Sequence, residues 1–564
     1  MNMEPKIKRN DFEEDSNYIN EMGFNRDSHS NQAHFLTLRK NKRINSRLNN
    51  TKLEIEKNPT EKYKIEQNSY DQSNPIIQNF FNAQDKPTFL SQLLLNISDS
   101  NNDLNIIKFI LVQTSNYYES QKNNDDNANS LEKFFTEPIL NSLVQIMNMN
   151  QNEFIIIYNI CSLLLELTFR SSSITKILTL NTKNIQQIFD CLRVNNEDVT
   201  STILSLLYNC YMENEDIVNT NCNIGVYVFE ALNNYARKNQ KSLSKSVVGI
   251  NDNIKILISF LCILINKNTS EVYKSFDIEK RNNIIYFLLV LCRDVYDEQL
   301  KIDSHNALER MLSLAEPEDI NVDRIGLVNI SEIFLPHIKL ESNSSDIVEI
   351  SMEILNKFSY LCDVEVLISN ELVEQLDEIL FSFIDMERNK ASPKPFYKNY
   401  SKKSVNKILN NLSFVLTNAI TLFKLEKYIN KETNIIDNLT LCLSINDLDN
   451  ETLVNIYDFF KEFIHNKDNC VKVILANFLD IGILDVLKNN LSKKNYDVVQ
   501  NVLEVCLLMM KKCTQLINGN SNNVIKIYLE KKGFNDILNV VSGVDFGNMN
   551  CSEIAKNVQD NFFK

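Results

Sequence analysis

The run Val498-Val499-Gln500-Asn501-Val502-Leu503-Glu504-Val505-Cys506-Leu507 decides the fold class. Its apolar residues return at spacings of three and four, so they line one face of a helix, whereas a half-buried strand would alternate. Ile203-Leu204-Ser205-Leu206-Leu207 belongs to a segment of the same kind. Short polar breaks stand between such segments: Asn195-Asn196-Glu197-Asp198, Glu316-Pro317-Glu318-Asp319, Asn343-Ser344-Ser345-Asp346 and Lys493-Lys494-Asn495. Only 9 of 564 residues are Gly and 9 are Pro. That is too few to punctuate the hairpins of an all-β fold or to build a Gly-rich phosphate loop. With 43% apolar residues, the chain can bury a large core.

The breaks recur about every 40 to 50 residues, the length of an armadillo or HEAT unit. Gly225, Gly326, Gly482 and Gly533 each open a Gly-apolar-x-x-apolar segment, as in Gly482-Ile483-Leu484-Asp485-Val486. Such a glycine suits the turn from one repeat into the next. The expected fold is all-α: a right-handed α-solenoid of about ten armadillo repeats over residues 73–545, with a closing helix over 546–564. The polar stretches 123–129 and 386–404, the latter with Pro393 and Pro395, read as loop insertions.

Residues 1–72 differ from the rest and read as a flexible basic arm. The first seventy carry 13 basic and 11 acidic residues, a net +2 that leaves -16 on the remainder. From His34 to Lys52 there are six basic residues (Arg39, Lys40, Lys42, Arg43, Arg47 and Lys52) and no acid. The overall charge of -14 argues against nucleic acid as a partner and for basic protein segments. Asn is about one residue in seven, a compositional bias that fills loops and exposed positions.

The 12 cysteines form no Cys-x-x-Cys pair and sit in apolar runs such as Phe260-Leu261-Cys262-Ile263, where Cys acts as a small hydrophobe. This suits a reducing compartment. The longest apolar stretch, residues 254–265, is interrupted by Lys255 and Ser259 and is shorter than the roughly 20 residues that cross a bilayer, so no membrane insertion is expected. The N-terminus shows no apolar leader. The five histidines (His29, His34, His305, His337 and His465) are scattered without metal-ligand spacing, and no nucleophile elbow occurs. The expectation is a soluble intracellular protein that is not an enzyme and needs no metal or cofactor.

Three features resemble the importin-alpha family. Leu38-Arg39-Lys40-Asn41-Lys42-Arg43, followed by Leu48, looks like the basic helix through which that family binds importin-beta. Ile525-Lys526-Ile527-Tyr528-Leu529-Glu530-Lys531-Lys532-Gly533-Phe534-Asn535-Asp536-Ile537, ending at Ile554 to Phe563, is similar to its last repeat. The third feature is the register of the repeats between them. The resemblance implies an import adaptor shuttling between nucleus and cytoplasm. Its groove would take cargo bearing a basic nuclear-localisation signal. Leu38, Arg39, Lys40, Lys42 and Arg43 would bind importin-beta, and the last repeat would contact the export receptor for recycling.

In that family the groove-lining helix carries Trp and, four residues later, Asn. The two share one helix face. Indoles form slots for Lys and Arg stems, and the amides clamp the peptide backbone. This chain has no Trp. By register, the matching positions are Leu163 and Leu167, Ser205 and Asn209, Ile256 and Phe260 (or Ile258 and Cys262), Asn306 and Arg310, Met352 and Asn356, and Phe414 and Asn418. For the next repeat Val454, Ile456 and Lys461 remain alternatives. Glu213, four residues past Asn209, matches the acid that holds the key signal lysine, and Asp303 matches another groove acid. The implied cargo set is Asn209, Glu213, Asp303, Asn356, Phe414 and Asn418. Without indoles, recognition of ordinary basic signals should be weak or altered. The arm is also reduced, since Asn25-Arg26-Asp27-Ser28-His29-Ser30 and Asn49-Asn50-Thr51-Lys52 replace the family's flanking basic clusters. The alternative reading is an armadillo scaffold that no longer binds nuclear-localisation signals.

Overall fold

The computed structural model describes most of residues 70–563, apart mainly from 98–102, 123–127, 215–223, 240–251, 321–328, 423–433, 467–494 and 517–526; before residue 70 it describes Ile65 alone. Among the described residues every regular element is helical and no strand occurs, which agrees with the all-α expectation. The chain divides into two compact units, Met1–Tyr235 with Gly249–Ser275 and Ala236–Val248 with Phe276–Lys564.

Unit 1 contains α1 (Pro75–Asn82), α2 (Lys86–Ile97), α3 (Leu104–Lys122), α4 (Ala128–Phe134), α5 (Glu137–Met149), α6 (Phe154–Arg170), α7 (Ser172–Leu180), α8 (Thr182–Asp190), α9 (Glu197–Glu213), most of α10 (Ile224–Asn239) and α11 (Asp252–Lys267). Two rows run through it: α3, α6, α9 and α11 pack each on the next, and so do α2, α5 and α8. Unit 2 contains α12 (Ile278–Asp294), α13 (Glu298–Leu314), α14 (Ile330–Phe334), α15 (Ser345–Leu361), α16 (Asn370–Arg388), α17 (Lys402–Leu422), α18 (Ile435–Cys442), α19 (Asn450–Asn466), α20 (Tyr496–Leu516), α21 (Phe534–Gly543) and α22 (Met549–Val558). Its main row is α13, α15, α17, α19, α20 and α22, packed in that order, while α16 and α18 pack on each other.

The polar breaks of the sequence are helix starts. Asn196 is the N-cap of α9, its side chain accepting the Val199 N–H at 3.1 Å, and Glu197 and Asp198 follow in the first turn, where carboxylates favour the positive helix end. Behind that cap, Val199, Ile203, Leu206, Leu207 and Cys210 are buried along one stripe. Ser344 is the N-cap of α15, and Glu316 and Asp319 make a reciprocal capping box around the 3-10 turn Pro317–Asp319. Replacing Asn196 with Ala should cost about 1 kcal/mol locally. Hydrogen exchange of a peptide spanning residues 197–206 should then quicken roughly fivefold, and unchanged exchange would show that the cap contributes nothing there.

Gly533 precedes α21 with φ +78, and its N–H donates to the Glu530 carbonyl at 3.0 Å. A Cβ there would meet only Asp536 at 3.7 Å, so the backbone conformation rather than space calls for glycine. Gly225 is the second residue of α10, while Gly326 and Gly482 lie outside the described residues. The insertion expected over 386–404 is shorter than a loop reading implies. Met386–Arg388 finish α16, Pro395–Asn399 form a 3-10 turn, and Lys402–Ser404 begin α17. Two buried tyrosines hold the turn: Tyr397 donates its hydroxyl to Asp385 at 2.9 Å and Tyr400 to the Leu340 carbonyl at 3.0 Å.

The cysteines among the described residues are free and nine are buried, Cys262 included. Burial pushes the Cys191 and Cys506 thiols up to about 12, with a smaller contribution at Cys191 from Asp190. They are packing atoms rather than nucleophiles.

Candidate functional site

Helices of the two main rows carry buried apolar stripes on one side and polar side chains on the other. Where neighbouring helices meet, the polar residues bridge them. In unit 1 Asn209 of α9 donates to the Thr168 hydroxyl of α6 at 3.2 Å. In unit 2 Asn356 of α15 donates to the Asn411 carbonyl of α17 at 2.9 Å, and Asn418 donates back to the Ser359 hydroxyl at 2.8 Å. Asn410 donates to Glu451 of α19 at 3.2 Å, Asn455 donates to Asn410, and Asn495 donates to Asn450.

The spacing of these bridges is regular. Asn209–Thr168 spans 41 residues, Asn410–Glu451 spans 41, Asn455–Asn410 spans 45 and Asn495–Asn450 spans 45. Across the joint that contains the Pro393–Pro395 region the spans lengthen to 55 and 59.

Phe414 is 38% exposed and lies on the same stripe of α17 as Asn411 and Asn418, at i, i+3 and i+7. Tyr360, at the end of α15, is 68% exposed. The expected pair of Phe414 and Asn418 therefore shares a face. Met352 and Asn356 have the same spacing but differ in exposure: Met352 is fully buried, while Asn356, one turn on, bridges to α17. Leu163, Leu167 and Phe260 are also buried. Phe260 packs edge-on against Tyr208 and Tyr211, with ring centroids 5.2 and 6.1 Å away. These four are core residues at positions where the resemblance places cargo contacts. Of the three alternatives on α19, Ile456 is buried, Val454 is half-buried, and Lys461 is drawn into a polar cluster with α20.

The two expected groove acids already have partners. Glu213 accepts the Ser172 hydroxyl of α7 and lies 3.8 Å from the Lys176 ammonium. Asp303 accepts from Gln299, one turn earlier on α13, at 3.0 Å. The basic-arm residues Leu38, Arg39, Lys40, Lys42 and Arg43 lie outside the described residues.

Further polar groups on the unit 2 row escape sequence reading. Glu353 of α15 and Glu309 of α13 share a hydrogen bond. Burial raises Glu353 to about 7, with Glu309 adding to the rise and Lys357 and Lys407 opposing it. Lys461 of α19 binds Asp458 at 2.6 Å, Glu504 of α20 at 3.0 Å, and the Asn501 carbonyl. Among the described residues no group of three or more His, Cys, Asp or Glu side chains could hold a metal, and no helix is long and apolar enough to cross a membrane.

No family model matches the chain, and no curated protein matches it. Among solved structures, the crystal structure of SYS-1 is similar with a TM-score of 0.39 and 11% identity, over 85% of this chain and 100% of that one.

Proposed function

We propose that this chain is a right-handed armadillo-type solenoid that binds extended basic segments of partner proteins, as a divergent nuclear import adaptor. The observation that carries the reading is the α17 stripe, where exposed Phe414 stands between Asn411 and Asn418 on a polar row. An exposed aromatic ring can take an alkylammonium or guanidinium stem. An Asn amide that spends one N–H on a neighbouring helix keeps a second N–H and a carbonyl for a peptide backbone. The bridge spacings of 41 and 45 residues match the period of an armadillo unit, and the longer spans fall where Pro393 and Pro395 interrupt it. The surplus of acid outside the first seventy residues suits basic cargo. In this reading the arm engages importin-beta through Leu38 to Arg43, the last repeat contacts the recycling export receptor, and the protein shuttles between nucleus and cytoplasm.

One observation favours a second reading, a scaffold that binds other partners. Leu163, Leu167 and Met352 are buried where cargo slots are expected, and Glu213 is engaged by Ser172 and Lys176. A titration separates the two. A labelled bipartite Lys/Arg peptide added to the full chain at physiological salt should bind, and Phe414→Ala with Asn418→Ala should weaken it roughly ten- to thirtyfold, from about 0.5–1 kcal/mol of cation–π and about 1 kcal/mol of hydrogen bonding. Importin-beta should bind the full chain and lose affinity when Arg39, Lys40 and Arg43 become Ala. A chain that binds neither is a scaffold.

A further inference from the structure

The contacts of Lys461 go beyond those of an ordinary surface pair. Its ammonium reaches from α19 to three acceptors: the Asp458 carboxylate at 2.6 Å, the Glu504 carboxylate at 3.0 Å and the Asn501 carbonyl. Three acceptors match the three N–H bonds of an alkylammonium. Two of them are held in place by bonds that do not involve the lysine. Asn501 donates its amide to the Asp497 carbonyl at 2.9 Å, which turns its own carbonyl toward Lys461. Gln500 donates to Oε1 of Glu504 at 3.0 Å, leaving Oε2 for the ammonium. The cage keeps an opening, with the Lys461, Asp458 and Glu504 side chains 21%, 42% and 30% exposed. Among the described residues, other lysines paired with row carboxylates sit more loosely: Lys176 lies 3.8 Å from Glu213 and Lys407 lies 3.6 Å from Glu349.

We propose that Asp458, Asn501 and Glu504 form a lysine-ammonium site, and that Lys461 is its intramolecular occupant, which a lysine of a basic partner segment must displace. The inference rests on the reading of this row as a surface for basic segments. A tethered ligand acts at an effective concentration in about the millimolar range, so it competes against any single incoming lysine. Burial pulls the Lys461 pKa down, and the hydrogen bonds to Asp458 and Glu504 outweigh it, so the net direction is up and the group stays charged. The site is then closed to weak or singly charged ligands and opens to a segment that gains affinity elsewhere on the row.

The test uses the full chain and a fluorescent hexalysine peptide. Lys461→Met should bind it about tenfold more tightly than Lys183→Met, a variant with the same charge change on α8. Adding Glu504→Gln should remove that gain. In the wild-type chain, saturating peptide should raise the rate at which Lys461 is acetylated by acetic anhydride, read by mass spectrometry; this readout needs no variant. If Lys461→Met binds no better than Lys183→Met, or the gain survives Glu504→Gln, the inference is overturned, while wild-type binding keeps the broader reading. Binding by Lys461→Met but not by the wild type supports the plug and rejects basic-cargo binding by the native chain. No binding by any variant rejects both.

Discussion

Asp319→Ala should destabilise unit 2 by about 3–5 kcal/mol, the range for removing one partner of a buried ion pair. Arg281 of α12 meets Asp319 at 2.8 Å, and the two side chains are only 11% and 15% exposed. The aspartate is bound from several sides. Its carboxylate also accepts the Glu316 N–H at 3.2 Å, closing the capping box, and its main-chain carbonyl accepts Asn282 Nδ2 at 2.6 Å. Removing the carboxylate leaves the Arg281 guanidinium charged and mostly out of water, and unfastens the turn that ends the α13 segment. Replacing both residues with apolar ones of similar volume should cost far less than either single change, because no uncompensated charge remains. With no Trp in the chain, unfolding is best followed by circular dichroism, and hydrogen exchange in α12 assigns the transition to unit 2. A loss below about 1 kcal/mol would mean that solvent screens the pair as it screens surface bridges.

The contrast between this pair and the Asn bridges shows which parts of the structure the sequence encodes openly. Local signals read through. Asn196 and the Glu316–Asp319 box are capping chemistry written within four residues, and Gly533 is a left-handed position that few other residues tolerate. The helical class is carried by apolar spacing, which is equally local. The partnership of residues some 40 or more apart is different. Glu309 with Glu353, and Lys461 with Glu504, form no motif, since only the packing of successive helices brings them together. At α17 the sequence spacing places Phe414 and Asn418 one turn apart, and there Phe414 is exposed and Asn418 bridges to α15. At α15 the same spacing gives a buried Met352 and an Asn356 that bridges to α17, a difference in depth that spacing alone does not encode. A helix has about 3.6 residues per turn, so a shift of one position carries a side chain about 100° round. In a chain where every seventh residue is Asn, an amide at the right spacing is poor guidance to register. The two tyrosines that seat the 395–399 turn were likewise hidden, because a polar, proline-bearing stretch gives no sign of which ring is buried.

Two buried histidines should make unit 2 lose stability as the pH falls from about 7 to 5, in opposition to half-buried Glu353, whose raised pKa gives the folded chain the extra proton over the same interval. His305 of α13 is fully buried, and His337, just after α14, is 4% exposed. Their rings meet edge to face with centroids 5.0 Å apart, beside Phe334. His305 Nδ1 lies 2.7 Å from the Lys301 carbonyl and His337 Nε2 lies 2.9 Å from the Cys292 carbonyl, so those nitrogens are the N–H donors. His305 Nε2 and His337 Nδ1 then carry lone pairs, and neither has a hydrogen-bond partner. A proton added to either would be a buried cation with an unanswered N–H. Burial pushes His305 down to about 3, with His337 adding to the fall, and burial pushes His337 down to about 4, with Lys301 adding to it. The other titratable neighbour, the Cys292 thiol, is pushed up by its own burial and offers no negative charge. Between the ordinary histidine value of about 6.5 and these lowered values the unfolded chain binds more protons than the folded one, so stability falls as pH falls. At about pH 5 the histidines' own contribution should amount to a loss of roughly 4 kcal/mol relative to above about pH 7, at 1.36 kcal/mol per unit for each, with Glu353 offsetting part of it in the wild type. His305→Gln with His337→Gln should be less stable at neutral pH, since the glutamines fit the apolar contacts poorly, yet between about pH 7 and 5 its stability should hold or rise relative to the wild type's, because of these three groups only Glu353 then titrates there. Denaturant midpoints measured across that interval decide the matter. Parallel slopes for wild type and double variant would place the acid sensitivity elsewhere, and a flattened or reversed slope in the variant assigns it to this pair.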